Sequence, residues 1–526
     1  MKISYDRIRK AAVLYAVIPI IIFFFGWLSV LWAAVFSALL LAAGFFFVKS
    51  SGKRDGERTH AVISLKTLII IGAIALLWCF LAGQGGFFHQ SNDHAIRNAI
   101  FRDLIKKPWP VVYEDDMLLS YYIAHWMPPA LLGKLFYTAT GSAAAGYGAG
   151  NIFLFIWSGI GVFLALLLVV ILTGSKKNSH PLAAVLLFIF FSGLDIIGTF
   201  VTGRDNNGNH YERWAYFAQF SSVTTCLFWV YNQTIVIWLV TLCILNERSV
   251  KNFAFLGLLA LPFGPFPFIG IVIICLIKAA VMSVRLIKKG KAGTAFRNIF
   301  SPQNILSCAA IMPTYYLYYF SNAIMSNEAV YGDKQVDVGF RINNILAETA
   351  AGGNAKDIVL MVLFYLFFVI LEAGLYIAAI ITYNKFKKVK TDPAFIGVMA
   401  VLMFIPMFKL GSGSDFSMRV SIPPLLYIAV EFIRSFMESI PSKGEIKSLD
   451  EFVRKKPWLL AASVIFFIGS MTACTEFYRE IYYTATNAET SVDYYQTESL
   501  EELEEKNNFT AKNYTYSNFY KYISKK

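Results

Sequence analysis

Residues 11–48 read AAVLYAVIPIIIFFFGWLSVLWAAVFSALLLAAGFFFV, without a single charged side chain. About 20 consecutive apolar residues are enough for a helix to cross a bilayer, and this stretch contains two such runs, 11–27 and 29–48. We interpret them as a tight hairpin of two membrane helices. The first run lacks a small-residue cleavage site, so it is predicted to stay in the protein as a start-transfer helix.

The composition extends this interpretation to the whole chain. Of the 526 residues, 57% are hydrophobic and only 15% are charged, and the mean hydropathy is +0.55. Soluble domains carry about 25% charged residues, so the composition excludes a soluble enzyme and predicts an all-α polytopic transmembrane helical bundle. The net charge of +13 does not indicate a nucleic-acid partner, because lysine and arginine cluster in short connections such as 49–58 and 285–291. That distribution is typical of the positive-inside rule.

Thirteen apolar segments are predicted to cross the membrane, with the N-terminus cytoplasmic and the C-terminus outside. The bundle is predicted to span 1–475, with interfacial helices in a first outer loop at 85–149, and 476–526 to form an outer C-terminal tail. The six cysteines show no paired spacing, so neither a disulfide framework nor a zinc site is predicted. The predicted spans are 11–27, 29–48, 66–84, 150–173, 181–201, 224–246, 253–264, 267–284, 304–321, 357–383, 394–410, 420–437 and 457–475.

The first outer loop contains the sharpest candidate for chemistry, Asp93. It precedes residues 95–107, which are amphipathic and are predicted to lie along the membrane interface. Asp93 could simply cap that helix, because its carboxylate suits a helix N-terminus. It could also act as a general base at the lipid boundary, with His94 and Arg97 as supporting residues. The acids 114–116 could join it in a divalent cation site, although an ordinary solvated loop explains them as well.

A second polar cluster occurs far along the chain, at 411–421. Asp415 and Arg419 are one helical turn apart and could form only a local ion pair. Arginine also binds phosphate through paired donors, so Arg419 is predicted to hold a lipid phosphate. Lys409 is a second phosphate candidate, unless it only extends from its helix end to the interface. Arg341, in another outer loop, is the third.

Two acids fall within predicted spans, Asp195 and Glu372. Ionisable groups at membrane depth are costly and indicate function by default, and a transporter would use them. Both lie near a predicted helix end or turn, so solvation at a helix end is the preferred interpretation. The proline-rich residues 261–267 interrupt a run and predict either a tight hairpin turn or a broken helix that lines a cavity.

Several short motifs resemble those of a known group of proteins. They are NDHAIRNAIFRDL with PWPVVY, YYIAHWMPPALLGKL, SDFSMRVSIP and NFYKYI. They resemble an uncharacterised family of bacterial multi-spanning membrane proteins, which is similar in layout to the GT-C glycosyltransferases. Members of that superfamily take a sugar from a polyprenyl-phosphate lipid at the outer face of the cell membrane. The resemblance covers the chain from about residue 85 to the C-terminus.

The resemblance implies roles for particular residues. In GT-C enzymes the first long outer loop begins with a catalytic acid and continues as two helices along the membrane, and Asp93, 95–107 and 117–136 match that order. Asp93 would then be the base of an inverting transfer to a glycan, lipid or protein acceptor. The chain lacks a paired-acid motif and a large outer domain, which leaves a divalent cation as an open cofactor. Two alternatives remain: a transporter or flippase, and a non-catalytic component of polysaccharide assembly.

Overall fold

A computed structural model gives the fold of most of the chain. The residues it describes are 1–50, 59–91, 93–174, 180–204, 210–322, 330–331, 334–335, 338–340, 355–410, 414–442, 444–486, 499–503 and 508–526.

Helices make up most of the described chain, which confirms the predicted all-α class. A π-helical turn, Ile370–Gly374, joins the helices Ala355–Val369 and Leu375–Phe386. The helices are α1 Tyr5–Trp27, α2 Val30–Lys49, α3 Leu65–Leu81, α4 Asp93–Lys106, α5 Met127–Thr140, α6 Ala143–Thr173, α7 Pro181–Ile189, α8 Asp195–Thr202, α9 Val223–Leu245, α10 Phe253–Leu258, α11 Pro265–Ile287, α12 Ala292–Ile299, α13 Pro302–Phe320, α14 Ala355–Val369, α15 Leu375–Phe386, α16 Pro393–Phe404, α17 Asp415–Val420, α18 Ile422–Ser439, α19 Leu449–Lys455, α20 Pro457–Thr486 and α21 Asn518–Tyr522.

Short antiparallel strands tie the loops together. Strand β1 pairs with β2, β4 pairs with both β3 and β9, β5 pairs with β6, and β7 pairs with β8. The strands are β1 Lys2–Ser4, β2 His60–Val62, β3 Val112–Tyr113, β4 Met117–Leu119, β5 Val330–Tyr331, β6 Lys334–Gln335, β7 Val338–Phe340, β8 Phe408–Leu410 and β9 Thr510–Ala511.

Seven helices in the described ranges are long and apolar enough to cross a membrane. Three shorter apolar helices, Leu65–Leu81, Val250–Phe263 and Pro393–Met407, match further predicted spans. The predicted span 181–201 is instead divided between α7 and α8. The chain therefore has the helices of a membrane protein, while the count of thirteen crossings stays a prediction. The seven are Tyr5–Trp27, Val30–Lys49, Ala143–Thr173, Val223–Leu245, Pro265–Ile287, Ile358–Phe386 and Pro457–Thr486.

The two ends of α1 mark the two ends of the bundle. At its start, Arg9 forms a buried ion pair with Glu247, 2.6 Å apart, just beyond the end of α9. At its other end, the carbonyl oxygen of Trp27 accepts a hydrogen bond of 2.8 Å from the backbone N–H of Lys525. The N-terminal strand and the C-terminal residues thus lie at opposite ends of a helix about 35 Å long. Which end faces the cytoplasm stays a prediction.

The C-terminal region continues the fold beyond the predicted boundary at 475. Helix α20 extends to Thr486, and the described residues after 498 pack against the first outer loop. Asp103 of α4, fully buried, accepts hydrogen bonds of 2.9 Å from the Tyr113 hydroxyl and from the backbone N–H of Leu500. These contacts hold α4 in place from the side opposite the bundle.

Glycines let α4 lie close against α5 and α6. A Cβ atom on Gly150 would come within 2.6 Å of Ile105, and one on Gly133 within 2.9 Å of the same side chain. Small residues at such positions allow helices in membranes to approach closely. Lys134 then caps the C-terminus of α4 by donating to the carbonyl oxygen of Ile105 at 3.1 Å. The helix that begins with Asp93 is therefore fixed along its length.

The glycine contact gives a first prediction. Gly150→Leu overpacks the α4–α6 interface and should destabilise the protein by about 1–3 kcal/mol, seen as a lower melting temperature in detergent. Gly148→Leu, two residues earlier on the same helix, is the matched control because a Cβ there meets nothing within 4 Å. Equal melting temperatures for the two variants would contradict the close packing of α4.

Candidate functional site

The candidate site begins at Asp93, the first residue of α4. Its carboxylate accepts a hydrogen bond of 2.9 Å from Arg97, one helical turn later. The side chain of Asp93 is 46% exposed, whereas that of Arg97 is only 5% exposed. The acid therefore lies at the surface of the site and the guanidinium lies beneath it.

Helix α17 repeats this arrangement. Its first residue, Asp415, accepts a hydrogen bond of 2.8 Å from Arg419, again one turn later. Asp415 is 44% exposed and Arg419 is 14% exposed. Helix α17 is held by α11, where a Cβ on Gly270 would come within 2.2 Å of the Val420 carbonyl oxygen. The local ion pair predicted for these residues is confirmed.

The two pairs meet in space. Burial raises the pKa of Asp93, but the positive charges of Arg97 and Arg419 lower it by more, so the net pKa lies below its ordinary value. Burial lowers the pKa of Arg419, while Asp415, two tyrosines and Asp93 raise it above the usual range. Asp93 and Arg419, which are remote in sequence, are thus close enough for their charges to interact.

The ion pairs leave nitrogen donors unused. Among the described residues, Nη1 of Arg97 and Nε of Arg419 are buried and have no hydrogen-bond partner. A buried donor without a partner costs about 1–3 kcal/mol, and a ligand or an ordered water that accepts from it removes this cost. Guanidinium groups donate charge-assisted hydrogen bonds to phosphate oxygens, so these two arginines are candidate ligands of an anion.

His94 supports the site as a neutral side chain. Its ring stacks on Tyr231 of α9 with centroids 5.7 Å apart, and its Nδ1 lies 3.1 Å from the Ser91 hydroxyl. Burial and the charge of Arg97 lower the pKa of His94 to about 3, so the ring carries no charge at neutral pH. His94 therefore positions the start of α4 and cannot be the cation that binds an anion.

Two tyrosines complete the surroundings of the arginines. The hydroxyl of Tyr121 donates to that of Tyr122, and the charges of both Arg97 and Arg419 act on Tyr121. Burial raises the pKa of Tyr121, so its hydroxyl stays protonated. Sequence reasoning missed both residues, because the segment around them was interpreted only as interfacial. The sequence feature that could have indicated them is the pair of tyrosines itself, which occurs in an otherwise apolar run.

The other predicted phosphate ligands are placed differently. Lys409 lies in β8, where it pairs with Gly339 of β7, and its side chain is partly exposed. Arg341 lies outside the described residues. Lys409 therefore remains a candidate near the beginning of α17.

The acids at 114–116 form the turn between β3 and β4. Asp116 accepts a hydrogen bond of 2.7 Å from the Thr515 hydroxyl, so it ties the loop to the C-terminal segment. Across the described chain, no group of three or more histidine, cysteine, aspartate or glutamate side chains could hold a metal ion. The described residues therefore bring together no ligand set for the divalent cation that the sequence left open.

Asp195 and Glu372 are not solvated at helix ends, and that preferred interpretation is wrong. Both side chains are buried. The break between α7 and α8 brings Asp195 into the interior, where Ser192 and Thr472 donate to it at 3.0 and 2.8 Å. Glu372 lies on the π-helical turn in the middle of a long helix, and such turns are frequent at functional positions.

These two acids form a second polar cluster. The carboxyl groups of Asp195 and Glu372 lie close enough to interact, and Trp214 donates to Glu372 at 2.8 Å. A cavity of about 20 Å³ adjoins Glu372 and Ser192. That volume holds about one water molecule.

A third acid, Glu212, connects this cluster to α17. It accepts hydrogen bonds from the backbone N–H of Ser222 at 2.7 Å and from Gln219 at 2.9 Å. Gln219 in turn accepts from the hydroxyl of Ser414, the residue that precedes α17. Burial and the nearby Asp195 raise the pKa of Glu212 to about 7.

Comparison of the chain with protein-family models, curated proteins and solved structures finds no match.

The raised pKa of Glu212 predicts a pH-dependent stability. The folded protein holds this proton up to a pH of about 7, whereas the unfolded chain releases it near 4.5. The stability due to protonated Glu212 is therefore lost as pH rises from 4.5 to 7, by at most roughly 3 kcal/mol. Glu212→Gln removes this dependence. The melting temperature of the variant, relative to that of the unmodified protein, should therefore rise between pH 5 and pH 7.5. For the exposed Glu114→Gln variant, the difference in melting temperature from the unmodified protein should not change with pH. Parallel curves of melting temperature against pH for all three proteins would refute the assignment to Glu212.

Proposed function

We propose that this chain is a membrane glycosyltransferase that transfers a sugar from a polyprenyl-phosphate donor to an acceptor hydroxyl at the outer face of the membrane. One arrangement carries the proposal: Asp93 lies close enough to Arg419 for their charges to interact, and among the described residues Arg97 and Arg419 each keep a buried donor without a hydrogen-bond partner. Transfer from a sugar phosphate needs at least a carboxylate that accepts the acceptor's proton and cationic groups that bind the phosphate. The resemblance to the GT-C enzymes supports the same interpretation.

The chemistry follows from the positions of the charges. The acceptor hydroxyl attacks the anomeric carbon, the bond from that carbon to the phosphate oxygen breaks, and the hydroxyl proton passes to Asp93. Arg419 and Arg97 hold the leaving phosphate and stabilise the negative charge it gains. Direct displacement on the opposite face inverts the anomeric centre.

The lowered pKa of Asp93 favours a proton transfer that occurs late in the reaction. Arg97 and Arg419 keep this carboxylate ionised, which makes it available as a base but a weak one. Sugar transfer passes through a transition state with oxocarbenium character, in which the attacking hydroxyl becomes acidic late. A weak, always ionised base suits a late proton transfer.

The membrane position supports a lipid donor. Helix α4 is amphipathic, and its N-terminus carries Asp93 at the boundary between polar loop and apolar bundle. A polyprenyl chain could stay in the bilayer while its phosphate reaches Arg419. The excess of basic residues at the end where α1 starts favours the outer face for this site.

A transporter or flippase would instead depend on Asp195 and Glu372. The cavity beside Glu372 has a volume of about 20 Å³, which is far too small for a lipid-linked sugar. The Asp93 site therefore supports the transferase better. The remaining alternative, a non-catalytic component of polysaccharide assembly, predicts no transfer by the purified chain.

The general base gives the most direct prediction for activity. Asp93→Asn should lower the rate of transfer from labelled polyprenyl-phosphate sugars by about 10²–10⁴-fold while donor binding persists. The matched control is Glu114→Gln, an exposed acid of the same loop, which should retain full activity. Unchanged transfer in Asp93→Asn would remove this residue from the mechanism.

The phosphate ligand gives a separate prediction. Arg419→Gln should weaken binding of unsugared polyprenyl phosphate by about 10-fold or more, because it loses a charge-assisted hydrogen bond worth about 1.5–3 kcal/mol. Arg213→Gln, another arginine between predicted membrane segments, should leave the affinity unchanged. Binding is measured by a competition assay with fluorescent lipid, and equal affinities for both variants would argue against a phosphate site at Arg419.

A further inference from the structure

Two adjoining cavities occur at the end of the bundle opposite Asp93, where α1 starts. They have volumes of about 260 and 770 Å³ and share Leu245, Asn246, Lys278 and Asp392 in their walls. The ends of α9 and α11 and parts of α15, α16 and α18 enclose them. Ligand sites usually fall in the range of about 300–1,000 Å³, so the space is large enough for a polar headgroup.

The acids in these walls already have cationic partners. Asp392 pairs with Arg285 at 3.0 Å, Glu431 with Arg434 at 2.5 Å, and Glu247 with Arg9 at 2.6 Å. A metal cation would have to displace these arginines. The acids of the walls therefore leave no negative charge in excess.

Two lysines remain in excess. Lys278 is 4% exposed, and its ammonium donates to the Leu245 carbonyl oxygen at 3.0 Å. Among the described residues no carboxylate lies within salt-bridge distance of it, and the charges of Asp392, Glu431 and Glu247 act on it only from farther away. An ammonium has three donors, so further donors of Lys278 are available to a ligand. Lys390 lines the same cavity from an exposed position, and Nε of Arg434 is buried without a hydrogen-bond partner.

We infer that this pocket, defined by Lys278, Lys390 and Arg434, binds a phosphate group. Burying an unpaired ammonium in a helical bundle is costly, and an anion in the cavity would offset that cost. Basic pockets between membrane helices bind the phosphate of lipid headgroups, and a soluble phosphate has the same chemistry. The inference does not depend on the proposed transferase activity, because the pocket lies at the other end of the bundle.

The test measures binding to the full-length chain in uncharged detergent at constant ionic strength. Melting temperature is followed during titration with phosphatidylglycerol, with inorganic phosphate, and with diacylglycerol, which lacks the phosphate. We expect saturable stabilisation by phosphatidylglycerol or by inorganic phosphate, and none by diacylglycerol. Stabilisation by phosphatidylglycerol alone identifies a lipid headgroup, whereas stabilisation by inorganic phosphate identifies a soluble ligand. Absence of stabilisation by both overturns the inference.

Variants of the lining lysines test whether binding occurs in this pocket. Lys390→Gln should raise the half-saturating concentration by about 10-fold, and Lys278→Gln by more. Lys289→Gln is the matched control, because this lysine is exposed on the same end of the bundle and does not line either cavity. Lys278 is buried, so its variant could fail to fold, and the comparison of Lys390→Gln with Lys289→Gln then decides alone. Equal half-saturating concentrations for these two variants overturn the inference.

Discussion

The site depends on two arginines that are buried under two half-exposed aspartates. In each pair the acid begins a short helix and the arginine follows one turn later, so the local geometry comes from helical spacing alone. What turns two local pairs into one site is the packing of α4 against α5 and α6 and of α17 against α11. Any change that shifts α4 would separate Asp93 from Arg419, although neither ion pair would break.

Local features of the fold could be predicted from the sequence, whereas contacts between distant segments could not. The amphipathic helix expected at 95–107 is α4, and the ion pair of Asp415 and Arg419 forms as predicted, because both follow from the period of a helix. A helix end or turn was expected near Asp195 and Glu372, but their burial was not, because the helices that enclose them are distant in sequence. Tyr121 joins the site only through tertiary packing, which no spacing along the chain reveals.

Charged groups inside this apolar bundle fall into separate clusters with different chemistry. The Asp93 cluster combines two half-exposed acids with two buried arginines. The carboxyl groups of Asp195, Glu372 and Glu212 form a second cluster, which borders a cavity that holds about one water molecule and is too small for a substrate. The pocket around Lys278 has lysines in excess at the opposite end. Basic side chains that could bind an anion thus lie at both ends of the bundle.

An electron cryo-microscopy structure with polyprenyl phosphate bound tests the central claim most directly. The account predicts density for the phosphate within about 3 Å of the guanidinium nitrogens of Arg419 and Arg97, with Asp93 lining the same chamber. The lipid chain should extend from that chamber into the bilayer. Phosphate density elsewhere, or Asp93 and Arg419 in separate compartments, would contradict the account.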